Sequence, residues 1–445
     1  MMVACLQKTE KTGKAGEIRL MILDPGHFHA DLLLKQHSDR IARDVYVYAP
    51  EGTGLKQHLE RVASFAERED NPVHWNEIVY SSPDFLEIML KNPAGNVVVL
   101  AGNNRTKTEY IARSVNAGLH VLADKPLAIN EKSFQELEKV VALAQKQKRM
   151  VYDMMTERYE ILNQLQRELI ADTQLFGMLE KGSVDEPAVE LESTHHFYKM
   201  VSGSPLVRPA WYYDVEQQGE GLADVSTHLI DIVHWKCLPE LTLDYRNDIR
   251  VLSASHWPTP ISKDQFTQST QEAEIPLYLQ KYVQNDTLNI YANGKMVYAV
   301  KGIHVSLLVR WNFQAPEGTG DTHTSCIKGT GAIVEVVQDE STAYKPELFV
   351  RATDGVSKSK FETALNKFVS RLQQTFPDIT LKPVGDKIQF IVPAEYREGH
   401  EAHFARVAET FFGYLDKGKM PDWEMPNTLA KYYITTTAVK MANAR

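Results

Sequence analysis

Short apolar runs alternate with helical patterns between residues 18 and 155, and this alternation constrains the fold more than any other feature. The run NVVVLAG at 96–102 has the unbroken apolar character of a strand buried on both faces of a parallel sheet. The helical segment after residue 130 places Phe134, Leu137, Val140, Val141 and Ala144 on one face. The other strand-like runs are IRLMIL at 18–23, DVYVYAP at 44–50, HVLADKPL at 120–127 and RMVYDMM at 149–155. The sequence therefore predicts an α/β Rossmann domain, with a doubly wound parallel sheet, over residues 18–155.

The pattern changes after residue 156, where strand-like segments such as AVELESTHHFYK, TLNIYANGKMVYAV and HVSLLVRWNF dominate. The second of these contains Asn293-Gly294, which is a strong hairpin signal. Helical periodicity returns near the C-terminus, with Phe404, Val407 and Phe411 on one stripe. We therefore expect residues 156–445 to form an α+β domain with an open-faced, mostly antiparallel sheet and C-terminal helices. Residues 1–17 are predicted to be a disordered polar segment.

Composition excludes several classes of partner. The chain has 445 residues, a formal net charge of -9 and no concentrated Lys/Arg block, which argues against nucleic acid or an anionic membrane surface. No apolar run is long enough to span a bilayer. Cys5, Cys237 and Cys326 are too far apart for a disulfide framework or a zinc finger. A cytoplasmic location is expected, while the small residues before Cys5 leave open a periplasmic or surface lipoprotein anchored there.

The turn after the first strand, DPGHFH at 24–29, contains one glycine where a G-x-G-x-x-G phosphate turn has three. Gly26 occupies the middle position, which lets the backbone approach a pyrophosphate, and the start of the next helix, at His27 and Phe28, could also bind phosphate. Glu51 follows the second strand, where an acid binds a ribose 2′-hydroxyl and favours NAD over NADP. The turn alone favours an α/β domain that binds no nucleotide, and Glu51 could equally be a solvated carboxylate.

The two histidines of this turn, His27 and His29, raise the question of a metal site. No cysteine or carboxylate pair stands beside them at ligand spacing. We therefore expect surface or helix-capping histidines and no metal.

Two further motifs carry possible chemistry. Lys125, followed by Pro126, ends the fifth strand-like run, at the sheet edge where open α/β sheets bind ligands. In GEGLADVSTHLIDIVHW at 219–235, the spacing of Asp224, His228 and Asp231 places them on one face of a predicted helix. A structural ion pair would produce a similar pattern.

Together these motifs resemble the glucose–fructose oxidoreductase and inositol dehydrogenase family (Gfo/Idh/MocA). The resemblance rests on NNRTKTEYIARSVNAGLHVLADKPL, on Asp224-x-x-x-His228 and on the glycine-rich CIKGTGAIVEV at 326–336. It implies that Lys125 matches the lysine of the family's EKP motif, with Asp124 replacing the glutamate, and that Asn104 lies near a nicotinamide. It also implies a bacterial homo-oligomer, a dimer or tetramer, that associates through the open sheet.

The resemblance predicts an NAD(P)-dependent oxidoreductase that acts on a sugar, polyol or sugar derivative. His228 would be the general base, Lys125 would polarise the reacting oxygen, and Asp224 would orient the imidazole. NAD is the expected cofactor, with NADP less favoured. Of His195 and His196, at most one can face the cleft, because they alternate along a strand. The candidate substrate-binding residues are Tyr198, Trp211, Tyr213 and Asp231.

Two alternatives remain open at this stage. A tightly bound NAD could oxidise a sugar transiently, permit elimination, hydrolysis or epimerisation, and be regenerated, which would fit the divergent phosphate turn. The chain could also be a catalytically inactive sugar-binding lipoprotein. The joint presence of Lys125, Asp224 and His228 argues against the inactive protein, because a binding protein does not need that trio.

Overall fold

The computed structural model describes residues 17–201 and 204–444, so Cys5 and most of the predicted polar N-terminal segment lie outside the described residues. The first sheet is parallel throughout and has the strand order β3-β2-β1-β4-β5-β6. Its strands are β1 (Leu20–Leu23), β2 (Asp44–Ala49), β3 (Asn76–Ser81), β4 (Val97–Leu100), β5 (His120–Ala123) and β6 (Val151–Asp153). The predicted Rossmann architecture is confirmed.

Helices cover both faces of this sheet, as the unbroken apolar strands require. One face packs against α1 and α2, and the other against α3, α4 and α5. The helices are α1 (His29–Leu32), α2 (Thr53–Ser64), α3 (Phe85–Lys91), α4 (Asn104–Asn116) and α5 (Glu131–Gln147). All five residues predicted for the buried face of α5 are buried.

The second sheet has ten strands and is antiparallel except where β7 pairs with β13. Its order is β10-β12-β13-β7-β14-β15-β16-β18-β17, with β11 beside β12, while β8 and β9 form a separate ribbon. The strands are β7 (Val189–Tyr198), β8 (Met200–Val201), β9 (Ser204–Pro205), β10 (Ile249–Ser262), β11 (Val283–Gln284), β12 (Thr287–Val300), β13 (Ile303–Gln314), β14 (Thr322–Lys328), β15 (Ala332–Val337), β16 (Glu347–Ala352), β17 (Thr380–Val384) and β18 (Lys387–Ile391).

The C-terminal helices connect the two sheets. Phe404, Val407 and Phe411 on α12 pack against the α1 and α2 face of the first sheet, whereas α13 contacts α5, α8 and β10. The remaining helices are α6 (Ile161–Ala171), α7 (Val215–Gln218), α8 (Ser226–Cys237), α9 (Tyr245–Asp248), α10 (Lys263–Thr270), α11 (Lys358–Leu372), α12 (His400–Lys417) and α13 (Glu424–Asn443).

The hairpin predicted at Asn293-Gly294 is wrong, because both residues lie inside β12. The buried Asn293 side chain donates to the carbonyl of Trp257 and accepts from the amide of Trp311, so it bridges the two neighbouring strands. A Cβ on Gly294 would lie 2.4 Å from Leu222, which explains the glycine by close packing rather than by a turn.

No helix in the described part of the chain is long and apolar enough to cross a membrane.

Candidate active site

A cavity of about 1160 Å³ lies where the carboxyl ends of the first sheet's strands meet one face of the second sheet. Its first wall includes His27, Phe28 and Lys125, and its second wall comes from β7, β13 and β14. Ligands of open α/β sheets bind at this edge, so the cavity is the expected location for chemistry.

Lys125 follows β5 and forms a buried ion pair across the cavity wall. Its Nζ lies 2.5 Å from Oδ1 of Asp224, and Oδ2 of Asp224 accepts a hydrogen bond of 3.1 Å from Gln218. Burial opposes both charges, but their mutual attraction lowers the pKa of Asp224 and raises the pKa of Lys125. The pair therefore presents a charged ammonium to the cavity at neutral pH.

His228 lines the same cavity from the first turn of α8. Asp224 precedes this helix, in the turn that leads into it, so the predicted helix begins later than residue 219. Even so, Asp224 and His228 both line the cavity, because the turn continues into the helix through a hydrogen bond from the Thr227 amide to the Asp224 carbonyl. The structure brings Lys125, Asp224 and His228 together. However, Asp224 holds the ammonium of Lys125.

A second imidazole and carboxylate face the cavity from the second sheet. His195 Nδ1 lies 3.1 Å from Asp321, whose carboxylate also contacts His196 at 3.0 Å and Lys199 at 2.6 Å. The three positive or hydrogen-bonding partners hold the pKa of Asp321 well below its usual range despite its burial. His195 lines the cavity and His196 is buried, as expected from their alternation along β7.

Hydrogen bonds extend from His195 toward the protein surface. Its Nε2 lies 2.7 Å from the Ser193 hydroxyl, which also lies 2.9 Å from Nδ1 of the exposed His323. On the opposite wall, burial and Glu160 raise the pKa of Glu157 to about 7. The cavity thus contains one carboxyl group, that of Glu157, whose pKa lies near neutral pH, together with the His195–Asp321 pair.

The phosphate turn uses its residues differently from a three-glycine turn. Asp24, in the first position, has a φ of +49°, a conformation that Asp tolerates better than most residues, and its carboxylate accepts from the Tyr110 hydroxyl. A Cβ on Gly102, at the end of β4, would lie 2.2 Å from the Asp24 carbonyl. The glycine that permits close packing here therefore comes from a neighbouring strand.

The helix that follows the turn differs from the prediction, because α1 is only four residues long. The amides of Gly26 and His27 donate to the Ala101 carbonyl. A short helix has a small dipole, so any phosphate held here would depend less on α1 than the sequence suggested.

His27 and His29 are not surface histidines. His29 is 7% exposed, and both rings contact the buried carboxylate of Asp124, which the fold brings from the end of β5. Burial and the neighbouring His29 lower the pKa of His27 to about 3. Asp124 was not predicted as a partner of these histidines, because it lies 95 residues beyond His29 in the sequence.

The other predicted cofactor-binding residues occupy different environments. Glu51 is exposed just after β2, at the edge where a ribose would lie. Pro126 follows Lys125 through a cis peptide bond. Asn104 is buried in a network, where its amide donates to Gln218 at 2.8 Å and its oxygen accepts from Lys107. Asn104 therefore supports the floor of the site rather than lining the cavity.

The four predicted substrate-binding residues separate into two groups. Tyr198 lines the cavity, and the Trp211 indole lies about 3.5 Å from the position of a Cβ on Gly26, beside the phosphate turn. Tyr213 is fully buried and donates to Ser269, so it packs in the core. Asp231 binds Arg158 through two hydrogen bonds of 2.6 and 2.7 Å inside the protein. These last two differ from the prediction because helix packing turns them away from the cavity.

Asp321 carried no signal in the sequence, since its position depends on the pairing of β14 with β7. Lys107 was equally hidden, because a single lysine on a helix is normally solvated.

Comparison with known proteins identifies the family. Residues 53–154 match the family described as "Oxidoreductase family, NAD-binding Rossmann fold", and residues 165–443 match "Putative oxidoreductase C terminal domain". A solved structure from Parabacteroides merdae ATCC 43184, described as a "putative oxidoreductase", is 49% identical, with a TM-score of 0.95, and the match covers 96% of this chain and 98% of that one. The chain belongs to the Gfo/Idh/MocA oxidoreductase family. None of the curated proteins matches the sequence.

More distant structures share the fold of this Gfo/Idh/MocA protein. Levoglucosan dehydrogenase in complex with NADH and levoglucosan is 12% identical, with a TM-score of 0.60, covering 96% of this chain and 98% of that one. KijD10, a 3-ketoreductase from Actinomadura kijaniata in complex with NADP and TDP-benzene, is also 12% identical, with a TM-score of 0.56, covering 95% and 97%. The family assignment makes this chain an NAD(P)-dependent oxidoreductase.

Proposed function

We propose that this enzyme transfers a hydride between a nicotinamide dinucleotide and a sugar, polyol or sugar derivative bound in the cavity. The observation that carries the proposal is the Lys125–Asp224 ion pair, which lines one cavity together with His228 at the edge of the nucleotide-binding sheet. NAD is the proposed cofactor, because Glu51 stands exposed after β2, where its carboxylate would bind two ribose hydroxyls and repel a 2′-phosphate.

The residues at this edge fit a dinucleotide. Gly26 lies in the turn after β1, where a Cβ would make ordinary van der Waals contacts of 3.5 Å with Gly102 and Trp211. The nicotinamide would supply the hydride acceptor or donor, and the protein would supply position and electrostatics.

Side chains of the protein handle the proton and the oxygen of the reacting substrate hydroxyl. In the oxidation direction, His228 takes the hydroxyl proton, because it lines the cavity and a neutral imidazole nitrogen can accept a proton. The Lys125 ammonium donates a hydrogen bond to the same oxygen and stabilises its developing negative charge. Asp224 positions that ammonium through their 2.5 Å contact.

Polar groups on the second wall favour a polyhydroxylated substrate. Tyr198, Lys199, His195 and Gln338 line that wall, where the His195 ring stacks on the buried Trp311. Sugars present alternating hydroxyl groups and apolar C–H faces, so this mixture of hydrogen-bonding and aromatic groups suits them. The distant relatives that act on levoglucosan and on a 3-keto compound agree with this class.

The test has two stages. Mass spectrometry of the purified protein and calorimetric titration with NAD and NADP measure which dinucleotide binds. A panel of sugars, polyols and sugar acids is then assayed for reduced nicotinamide with wild type, Lys125→Ala and His228→Ala. We expect turnover to fall by about a hundredfold or more in each variant.

The matched controls Lys139→Ala and His37→Ala change exposed residues and should retain activity. Absence of dinucleotide binding, or normal turnover in both site variants, would refute the proposal.

A second candidate function is favoured by the imidazole–carboxylate pair of His195 and Asp321. A second acid–base group in the cavity would suit transient oxidation by a retained NAD, followed by elimination or epimerisation and return of the hydride. Such an enzyme would convert substrate without net accumulation of reduced cofactor, and it would need no added NAD. Strict dependence on added NAD, with one reduced cofactor formed per product, would exclude it.

A further inference from the structure

Three side chains with metal-binding atoms meet beside the phosphate turn. His27 and His29 come from the residues after β1, and Asp124 comes from the end of β5. The ligand atoms of this trio all lie within 4.8 Å of one another, and within residues 17–201 and 204–444 no other group of three His, Cys, Asp or Glu residues does so. Strands β1 and β5 are separated in the sheet only by β4, so the parallel order of the sheet brings the trio together.

The distances suit coordination as well as hydrogen bonding. Oδ2 of Asp124 lies 3.0 Å from Nδ1 of His29 and 3.4 Å from Nδ1 of His27. Neighbouring ligand atoms bound at about 2.0–2.1 Å from one metal ion are separated by roughly 2.9 Å in octahedral geometry and roughly 3.4 Å in tetrahedral geometry. The contact of His27 is too long for a good hydrogen bond, and its buried Nδ1 has no hydrogen-bond partner. That nitrogen is the polar atom that a hydrogen-bonding explanation leaves unsatisfied.

The donor set selects a class of metal. Two imidazole nitrogens and one carboxylate oxygen suit Zn²⁺, Co²⁺ and Fe²⁺, whereas Mg²⁺ and Ca²⁺ prefer oxygen ligands alone. His27 and His29 line the cavity, so the unused coordination positions would face whatever occupies it.

Two neighbouring cations oppose a metal ion and set a limit on its affinity. Lys107 donates to the main-chain carbonyl of Asp124 at 2.8 Å and to Asn104, and Lys125 is adjacent in sequence. Asp224 pairs with Lys125, which offsets part of its charge, and the carboxylate of Asp124 remains directed toward the histidines.

We propose that His27, His29 and Asp124 form a site for one divalent transition-metal ion of the Zn²⁺ class, with open positions toward the cavity. Those positions would accept an oxygen atom of the compound bound there. The ion would also place positive charge at a turn that has one glycine and a four-residue helix.

The experiment uses full-length protein without a polyhistidine tag, dialysed against a chelator. Titration with Co²⁺ is monitored by visible absorption, and titration with Zn²⁺ by calorimetry. We expect one ion per chain and weak nitrogen/oxygen-type Co²⁺ bands without thiolate charge transfer. Loss of even an indirect partner of a metal commonly weakens binding by about 10–100-fold, so His27→Ala and His29→Ala should each weaken it at least tenfold. His37→Ala and His304→Ala, which alter an exposed and a half-buried histidine outside the trio, should leave it unchanged.

Asp124→Asn completes the set, and circular dichroism shows whether this buried substitution still folds. If it does not, His27→Ala decides the question, because the His27 side chain is 21% exposed and its removal should be tolerated. The proposal is overturned by the absence of saturable binding, or by equal affinity in wild type, His27→Ala and His29→Ala. Because the titration needs neither dinucleotide nor sugar, its failure would leave the proposed function standing, and the reverse also holds.

Discussion

At the level of single residues, the Lys125–Asp224 ion pair is expected to contribute both to the stability of the fold and to the proposed reaction. The two side chains are 13% and 4% exposed, so each charge depends on the other rather than on water. Removing one member of a buried pair commonly costs about 3–5 kcal/mol, because the remaining charge is left uncompensated.

A double-mutant cycle measures this dependence. We expect Lys125→Met and Asp224→Leu each to lower the free energy of unfolding by about 3–5 kcal/mol, and the double variant to lose much less than their sum. Urea denaturation of the four proteins gives the coupling free energy. Additive losses would show that the pair contributes no coupling, and Lys139→Met, at an exposed position, controls for the loss of a lysine.

His58 predicts a pH dependence from its own surroundings. Its imidazole is buried between Asp31 and Glu77, with Arg61 also bound to Asp31. Burial disfavours the charged ring, but the two carboxylates outweigh it and raise the pKa of His58 from 6.5 to about 9. Between about pH 6.5 and pH 9, the folded protein therefore holds a proton on His58 that the unfolded chain releases.

The sign follows from that difference. The contribution of His58, about 3 kcal/mol, is complete below about pH 6.5 and is lost as the pH rises from there through about 9. We expect His58→Gln to abolish this decline in unfolding free energy, measured by denaturation at several pH values. His37→Gln, an exposed change, should keep the wild-type profile, and an unchanged profile in His58→Gln would contradict the assignment.

Single residues also show where the sequence was informative. The shared position of Lys125, Asp224 and His228 at one cavity was predictable because spacing and strand-end position are local properties, while their catalytic roles stay predictions. Asp321 and Asp124 were not linked to their histidines, since strand pairing alone brings each carboxylate to its imidazole over a long sequence separation.

At the level of elements, the phosphate turn depends on the strand beside it. Gly102 lies two residues beyond the end of β4, and a Cβ on it would lie only 2.2 Å from the Asp24 carbonyl oxygen. A methyl group there must displace the turn, and overpacking of this kind commonly costs about 1–3 kcal/mol.

Gly102→Ala should therefore weaken dinucleotide binding by about tenfold or more, a shift of at least ~1.4 kcal/mol in binding free energy. Calorimetric titration measures this effect. Gly413→Ala is the matched control, because a Cβ there has no neighbour within 4 Å and α12 tolerates alanine. Equal affinity in the two variants would show that the turn does not contact the cofactor.

Helices and strands were predicted correctly where one face or the whole element is buried. They were missed where the element is largely exposed. The pattern of α5 revealed its buried face, and the run at 96–102 revealed a central strand. Strand β3 was missed because it is the exposed edge of the sheet, with Val79 and Tyr80 facing solvent, so its residues show no clear alternation. Asn293-Gly294 was wrongly predicted to form a hairpin turn. It lies inside β12, where Gly294 packs against Leu222.

At the level of the whole molecule, the two sheets are joined by the C-terminal helices. The apolar stripe on α12 was visible in the sequence, but its partner is the first sheet, more than 250 residues earlier, which periodicity cannot reveal. A buried ion cluster adds a second connection, since Lys431 on α13 lies 2.8 Å from Asp153 of β6 and 3.1 Å from Asp231 of α8. Arg158 binds Asp231 and Glu424 in the same cluster.

Lys431→Met should consequently destabilise both sheets at once. Its removal leaves Asp153 and Asp231 short of a cation, and we expect a loss of about 3–5 kcal/mol in unfolding free energy. Lys440→Met is the matched control on the same helix, because its pair with Glu131 is exposed and worth at most about 1 kcal/mol. Hydrogen exchange of the amides of β4 and β12 distinguishes the outcomes. If α12 and α13 make the sheets one cooperative unit, protection of both strands falls together; a fall confined to β12 would mean that the Rossmann sheet unfolds independently.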